Sequence, residues 1–364
     1  MIDEIEEFAA EQVYGSLERR YQEGSFSRAL WRSMGEMGLL GMTVPPEYGG
    51  SGGGPLDLGR AVDAFASASL DMGLTLSWIT HLALCVKSIQ QFGSEEQKLR
   101  YLPRLTSGEW VGAAAVSEPE TGAHPAGMRS TAVETPDGFI LNGHKMFTTD
   151  GPVADLMLVI ASTGSAGEDK ELSAFLVETT TPGCRSENMD LNFLRTSPHG
   201  DTTFEDVMLP PDSLLGARGD GHKAHSRSAF ARERSMVLSA FAGYFGAAAR
   251  LITGSLRAAR PGWDLKGGEA ASFIHHMSAL SVYRRLADEV VEAAFEDPDR
   301  WRASMDVLIY MGISYAKWAL WLEEFSGKEQ VPVRFPLDVI LADVKLVLIG
   351  EGILMKEGRK RYLQ

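Results

Sequence analysis

Few residues here could do chemistry, and most of the obvious constellations are incomplete. His81 and Cys85 stand one helical turn apart and could share a metal ion, yet no second pair of ligands completes the set. Core packing is expected for both. His275 and His276 are adjacent, so in a helix they point to different faces and make a poor ligand pair. No metal site is expected. The glycine-rich run at 49–54 could pass for a phosphate-cradling loop, but it follows a proline-rich segment rather than a strand and no Lys-Ser/Thr trails it. A flexible connection is expected there instead. No Gly-x-Ser-x-Gly elbow occurs, and nothing marks a Ser/His/Asp triad. Cys85 and Cys184 are the only cysteines, too few for a disulfide framework or a thiolate zinc site.

What remains is two carboxylates and three polar segments. Glu233 lies between Arg232 and Arg234, and Glu351 is followed by Gly352. Taken alone, Glu233 reads as an ion pair with an arginine on its own helix, and Glu351-Gly352 as a solvated helix end capped by glycine. The segments are Val116-Ser117-Glu118-Pro119-Glu120-Thr121-Gly122, Asn142-Gly143-His144-Lys145-Met146-Phe147-Thr148-Thr149-Asp150-Gly151, and Phe204-Glu205-Asp206-Val207-Met208-Leu209-Pro210.

The elements that must position these residues follow from periodicity. Up to about residue 105 apolar residues recur at three and four spacing, as in Leu30, Met34, Met37 and Leu40, which predicts helices. One of them starts near Ser27 and is closed by Gly38 and Gly41 before Pro45-Pro46. Between about 110 and 216 the period changes to two, and short runs such as 139–141, 157–160, 174–177 and 202–207 are bounded by Gly, Pro, Ser or Asp. Successive strands without helices between them predict an antiparallel sheet or barrel, not a nucleotide-binding βαβ unit. From about 221 four long helical segments with short links predict a four-helix bundle. The expectation is an α+β chain of three parts: a helical domain at 1–109, a middle antiparallel β-barrel at 110–218 and a helical bundle at 219–364.

Composition narrows the function classes. With 35 Lys and Arg against 49 Asp and Glu, the net charge is −14. A phosphate-tracking protein would need a basic stripe to overcome it, and the densest basic run is the short patch at 356–361, so no nucleic-acid partner is expected. The longest apolar stretches, such as 157–161 and 346–349, fall short of the ~20 residues a membrane span requires. Residues 2–20 carry six acids, Asp3, Glu4, Glu6, Glu7 and Glu11 among them, the reverse of a cationic secretory start, and a cytoplasmic location is expected. Residues 307–322 and 337–355 are apolar over more than one helical face, including Trp318 and Trp321, which predicts a homodimer or homotetramer.

Taken in order and with helical flanks, the three segments resemble the acyl-CoA dehydrogenase family. Met37-Gly38-Leu39-Leu40-Gly41, Glu47-Tyr48-Gly49-Gly50, Phe92-Gly93-Ser94-Glu95-Glu96-Gln97-Lys98 and Leu102-Pro103-Arg104-Leu105-Thr106-Ser107-Gly108-Glu109 extend the likeness, which covers most of residues 27–250 and weakens thereafter. The resemblance implies a helical domain, a β-barrel and a four-helix bundle with FAD between barrel and bundle. It implies a reaction in which a carboxylate takes the α-proton of an acyl thioester, carried by CoA or a carrier protein, and hydride passes from the β-carbon to flavin N5. Electrons would then leave to an electron-transfer flavoprotein or another acceptor.

Residue by residue, the resemblance places Ser117 in the hydroxyl position at the flavin ring, with Val116 offering backbone beside it and Gly122 in the same loop. Phe147 takes the place of the family's Trp over the ring, and Thr149 the hydroxyl position near N5. Asp343-Val344-Lys345 and Ile349-Gly350-Glu351-Gly352 look like the family's Arg-Asp-Ala-Lys and Tyr-Glu-Gly-Thr segments, whose Glu is the usual base. Gly352 would let the backbone approach the thioester. Phe230-Ala231-Arg232-Glu233-Arg234 matches the helix carrying the alternative base of branched-chain and long-chain members, so Glu233 is a second candidate, with Phe230 and Arg234 beside the substrate. Glu351 is favoured as base, since its loop can also supply a backbone N–H to the thioester oxygen. The family's Arg-x-x-Phe-Gly, its Gln and its Gly-Gly-x-Gly-Tyr loop are replaced here by Arg257-Ala258-Ala259-Arg260-Pro261-Gly262-Trp263 and Phe325-Ser326-Gly327-Lys328-Glu329-Gln330, and Ala123-His124 stands for the usual Ser-Asp. Weak FAD binding is therefore expected. The alternatives are a protein of this fold that has lost FAD and does non-redox α-proton chemistry or binds a partner, and a flavin oxidase or monooxygenase.

Overall fold

The computed structural model describes residues 1–166, 169–221, 227–260, 262, 266–296, 298–329 and 336–343. The chain begins with seven α-helices: α1 (Ile2–Phe8), α2 (Gly15–Glu23), α3 (Arg28–Glu36), α4 (Pro55–Ser69), α5 (Met72–Thr80), α6 (Lys87–Phe92) and α7 (Glu95–Thr106). Their ends are set by local chemistry. Ser27 Oγ accepts from Leu30 N at the start of α3, and Gly38 follows its end with φ +77°. Asp71 caps α5 by accepting from Leu74 N at 2.9 Å. Two π-helical segments, Ala9–Tyr14 and His81–Val86, interrupt the helical runs.

The glycine run at 49–54 is not the flexible connection its composition suggests. Gly52 N donates to Val44 O at 2.8 Å and Gly53 N to Met42 O at 2.7 Å, folding the run back on residues 41–44. A Cβ at Gly50 would lie 2.0 Å from Val44 O, so close backbone approach explains the glycine.

Eight strands follow: β1 (Gly112–Ala115), β2 (Thr131–Thr135), β3 (Gly138–Thr149), β4 (Leu156–Ala166), β5 (Asp169–Glu178), β6 (Cys184–Asn188), β7 (His199–Leu209) and β8 (Leu214–Leu215). They form one sheet in the order β6-β7-β3-β2-β4-β5-β8, with β1 added beside β4. Most pairings are antiparallel; β1 with β4 and the short β2 with β4 contact are parallel. β4 is buried on both faces. Leu156, Leu158 and Ile160 join the core shared with the helices, while Met157, Val159 and Ala161 face the sheet's own interior with Phe139, Phe175 and Phe204. That two-sided burial explains why its sequence is a continuous apolar run rather than an alternation.

Four helices close the described chain: α8 (Arg227–Ala259), α9 (Gly267–Glu296), α10 (Pro298–Lys328) and α11 (Leu337–Asp343). Phe241, Phe245, Tyr315 and Trp318 pack ring against ring at their centre. α4 lies along α8, and a Cβ at Gly243 would stand 2.1 Å from Asp63 O, which sets how closely the two helices approach. Trp318 is buried within this single chain, whereas Ile274, Val282, Tyr310 and Leu320 remain exposed on α9 and α10.

The expectation that no stretch is apolar enough to span a membrane needs one correction. By length and hydropathy two helical runs among the described residues qualify, Met72–Phe92 and Ala231–Ala258. They are 94% and 78% buried inside the protein, so their apolarity serves the core.

Candidate active site

The site is organised around a buried ion pair that the sequence reading did not single out. Lys145 on β3 and Glu118, just beyond β1, are both sealed from solvent, with Lys145 Nζ 2.8 Å from Glu118 Oε1 and 3.2 Å from Val116 O. Glu118 also accepts from Ser130 Oγ, Ser130 N and Arg129 N at 2.6, 2.9 and 2.6 Å. Burial pushes the Glu118 carboxyl up, but these four donors outweigh it and hold it at about 2. Burial pushes the Lys145 ammonium down, and Glu118 opposes that. The 118–122 loop closes on itself, Glu118 N donating to Gly122 O and Gly122 N to Glu118 O, with Gly122 in the left-handed region at φ +57°.

This anchoring brings the expected ring-contacting residues together. Met146 N donates to Ser117 O at 2.8 Å, so Ser117 and Val116 lie beside the end of β3. The ladder between β3 and β7 is irregular between Lys145 and Thr148, and Phe147 sits in that bulge with φ +56°. Its ring is 56% exposed, which rules out a core role for it. A phenylalanine held outward on left-handed backbone costs free energy that the surrounding structure must offset, a pattern concentrated at ligand-binding sites. Thr149 is partly exposed, and its cross-strand neighbour is His199. Asp150, also left-handed at φ +60°, is fully buried and accepts from Ser77 Oγ at 2.6 Å; burial pushes its carboxyl to about 7.

An outward aromatic face with the Ser117 and Thr149 hydroxyls on the adjoining segments suits a planar ring with a polar edge, so the isoalloxazine half of FAD fits these residues. On the bundle, Arg257 is exposed, while Arg260 is engaged with Glu329 at 3.1 Å.

The second constellation lies on α8. Glu233 is partly accessible yet enclosed by protein; burial raises its carboxyl to about 7, and the attraction of neighbouring Arg234 only moderates that. The ion-pair reading of Glu233 is thus not what dominates its electrostatics. Phe230 lies in α8, but its side chain is outside the described residues, and Glu351 and Gly352 lie wholly outside them. The α8 and strand groups share a wall, the run 72–92. Arg232 Nε donates to Ala83 O at 3.3 Å on one side, and Gly112 N donates to His81 Nδ1 at 3.0 Å on the other. His81 and Cys85 are both buried in this wall, and burial takes the imidazole down to about 4. Asp343, at the end of α11, accepts from Tyr21 Oη at 3.0 Å and Leu194 N at 2.7 Å, tying the last described helix to α2 and to the loop before β7.

Lys145 and Glu118 escaped the sequence reading although both lie in the segments it quoted. The available signal was a lysine in the middle of a strand and a glutamate three residues from the last buried position of β1. Asp150 and His199 carried no such signal, because only the fold brings them together.

Comparison with known proteins places this geometry. Residues 1–109 match the acyl-CoA dehydrogenase N-terminal domain and residues 113–207 the acyl-CoA dehydrogenase middle domain. The chain is 36% identical over 243 residues to an L-prolyl-[peptidyl-carrier protein] dehydrogenase of Pseudomonas fluorescens, covering 66% of this chain and 63% of that protein. It is 38% identical over 193 residues to a mitochondrial isovaleryl-CoA dehydrogenase of Oryza sativa subsp. japonica, covering 53% and 47%. The matched part thus spans about half to three fifths of these relatives. The prolyl acyl carrier protein oxidase AnaB superposes with a TM-score of 0.84 over 100% of this chain and 97% of that one, at 24% identity, which shows a shared fold. On the domain matches and the fold, the chain belongs to the acyl-CoA dehydrogenase family.

Proposed function

We infer that the protein is a flavin-dependent enzyme that removes α- and β-hydrogens from an acyl thioester, and that the acyl group arrives on a carrier protein. The observation that carries the flavin part is Phe147, held outward on left-handed backbone beside Ser117 and Thr149. The carrier-protein part is supported by the 36% identical relative, named for a peptidyl-carrier protein substrate. Val116, Ser117, Gly122, Phe147 and Thr149 would hold FAD, which when bound supplies the two-electron acceptor for the β-hydrogen.

The chain's own residues then have distinct tasks. Phe147 covers the ring face and keeps water from it. The Ser117 hydroxyl fixes the ring's polar edge, the Thr149 oxygen stands at its reactive edge, and the Glu118–Lys145 pair holds their two segments in register. Glu233, with a carboxyl near 7, is poised as the base that takes the α-proton, since a base works best with a pKa near the working pH. Arg234 and Phe230 belong to the same stretch of α8 and are the residues the resemblance sets beside the substrate, and Glu351 with Gly352 is the competing base element. FAD is held weakly, because Arg260 is engaged by Glu329 and the glycine loop and Gln that the family brings to the diphosphate are replaced here. The exposed apolar residues of α9 and α10 support a homodimer or homotetramer. An electron-transfer flavoprotein or another acceptor would take the electrons on, in the cytoplasm. The domain limits are proposed at 109/110 and 218/219.

The test is the visible spectrum of the purified protein after incubation with FAD, followed by anaerobic addition of an acyl-carrier protein and of the matching acyl-CoA. A flavin band bleached faster by the carrier-bound acyl group is expected. A protein that takes up no FAD would overturn the reading, and faster bleaching by acyl-CoA would overturn its carrier-protein part.

A further inference from the structure

His199 is almost completely buried at the start of β7, 7% exposed. Its two ring nitrogens face different partners. Nδ1 lies 2.8 Å from Ser197 O, and Nε2 lies 3.5 Å from Thr149 Oγ1. A carbonyl oxygen can only accept, so Nδ1 carries the ring hydrogen. Burial lowers the His199 pKa, which keeps the ring neutral and leaves Nε2 a bare lone pair. Among the described residues, the group within hydrogen-bonding distance of that lone pair is the Thr149 hydroxyl, which must therefore be the donor.

The arrangement is held from behind. Ser197, whose carbonyl fixes the imidazole, has its own hydroxyl 2.9 Å from Ser77 Oγ and 3.4 Å from Asp150 Oδ1. Asp150 N donates to Pro198 O at 2.7 Å, fastening residues 197–199 to the residue next to Thr149. Thr149 and His199 are also register partners across the β3–β7 ladder. Backbone and side-chain bonds together thus fix which way the threonine hydrogen points.

We propose that His199 is a positioning residue that commits the Thr149 hydrogen to the protein, so that the Thr149 oxygen presents only lone pairs to the cleft beside Phe147. This rests on the flavin reading above. A flavin ring carries an N–H at its reactive edge when reduced and a lone pair there when oxidised. An acceptor-only oxygen bonds the first and not the second. His199 therefore biases the site toward the reduced ring, and it does so through Thr149 without touching the ring itself.

Two measurements test this separately from the flavin reading. In the cofactor-free protein, nitrogen NMR of the histidines should show His199 as the Nδ1–H tautomer with an unprotonated Nε2; an Nε2–H tautomer would overturn the proposal. In the FAD-loaded protein, His199→Leu frees the hydroxyl to donate to the oxidised ring. The ratio of reduced to oxidised flavin affinity should fall about tenfold, one hydrogen bond's worth, which is about 30 mV in the two-electron midpoint potential. His199→Gln, which can present an acceptor oxygen in the same place, should restore the ratio. In a Thr149→Val background the His199→Leu change should have no effect on the potential. An unchanged potential in His199→Leu, or an equal drop in the Thr149→Val background, would overturn the positioning role. Failure of the wild-type protein to take up FAD would instead overturn the reading beneath it, whichever tautomer NMR shows.

Discussion

The ammonium of Lys145 and the carboxylate of Glu118, 2.8 Å apart and closed to solvent, join strand β3 to the loop that follows β1. Together with the bonds from Met146 N to Ser117 O and from Lys145 Nζ to Val116 O, that contact registers the segment bearing Phe147 and Thr149 against the segment bearing Ser117. Removing one partner leaves a buried charge alone. Lys145→Met should therefore cost about 3–5 kcal/mol in urea unfolding, while the double variant Lys145→Met/Glu118→Gln should recover much of that loss.

The same carboxylate makes a pH prediction. Glu118 is held at about 2, below its ordinary value of 4.5. Its stabilisation is complete above the ordinary value and is lost as pH falls from there through about 2. Wild-type stability, followed by denaturant titration, should decline across that window, and Glu118→Gln should lack this component of the decline.

Phe147 is placed for a ligand at a cost to the fold. Phe147→Gly should leave the cofactor-free protein at least as stable as Phe147→Ala, and by about 1 kcal/mol, because glycine accepts φ +56° without strain. Both changes should weaken FAD binding about tenfold by loss of the aromatic face, as measured by fluorescence titration. Equal stability of the two variants would show that the left-handed backbone is not strained.

Much of the architecture could be read from periodicity because burial is periodic. Ser27 and Gly38 bound a helix through capping and left-handed backbone, and the alternation after Gly138 marks a strand, all local effects. Phe147 and Thr149 could be picked out only through resemblance, since nothing local distinguishes an outward phenylalanine from a core one until its backbone angle is known. The Gly49–Gly54 run misled because composition cannot show that its amides bond back to residues 41–44. The Asp150–Ser197–His199 cluster was invisible for a related reason. Its members are about 50 residues apart in the chain, and their pairing exists only once β3 and β7 are in register.

Asp343 offers a test of how α11 is docked. Burial raises its carboxyl to about 7 from 3.8, against the opposing hydrogen bonds from Leu194 N and Tyr21 Oη. A carboxyl raised in the folded state keeps its full contribution at low pH and loses it as pH rises through about 7. Asp343→Asn retains the accepting oxygen but cannot ionise. The variant should match wild type at pH 3, below the ordinary carboxyl value, gain on it as pH rises through about 7, and be the more stable protein at pH 9 by denaturant unfolding. A variant less stable at pH 9 would show that the ionised carboxylate is the form α11 needs.

The final prediction concerns the base. If Glu233 takes the α-proton, its ionised form is the active one, and flavin bleaching by the acyl substrate should rise with pH through about 7 and level off above it. Glu233→Gln should keep the fold, since glutamine preserves the shape, and should stabilise the protein more at pH 8 than at pH 5, because a carboxyl raised from 4.5 to about 7 on folding loses its contribution to stability as pH rises between those values. Bleaching in this variant should slow by at least about 10²-fold. Glu351→Gln should then act on substrate affinity with a smaller change in bleaching rate. Glu351 has the counter-argument that Gly352 beside it can bring a backbone N–H to the thioester oxygen, coupling proton removal to oxyanion stabilisation, whereas the N–H groups within α8 are already bonded along the helix. If Glu351→Gln abolishes bleaching and Glu233→Gln leaves it fast with the rise near pH 7 gone, the two roles are exchanged. If neither change slows bleaching in flavin-loaded protein, carboxylate-driven dehydrogenation at this site is wrong.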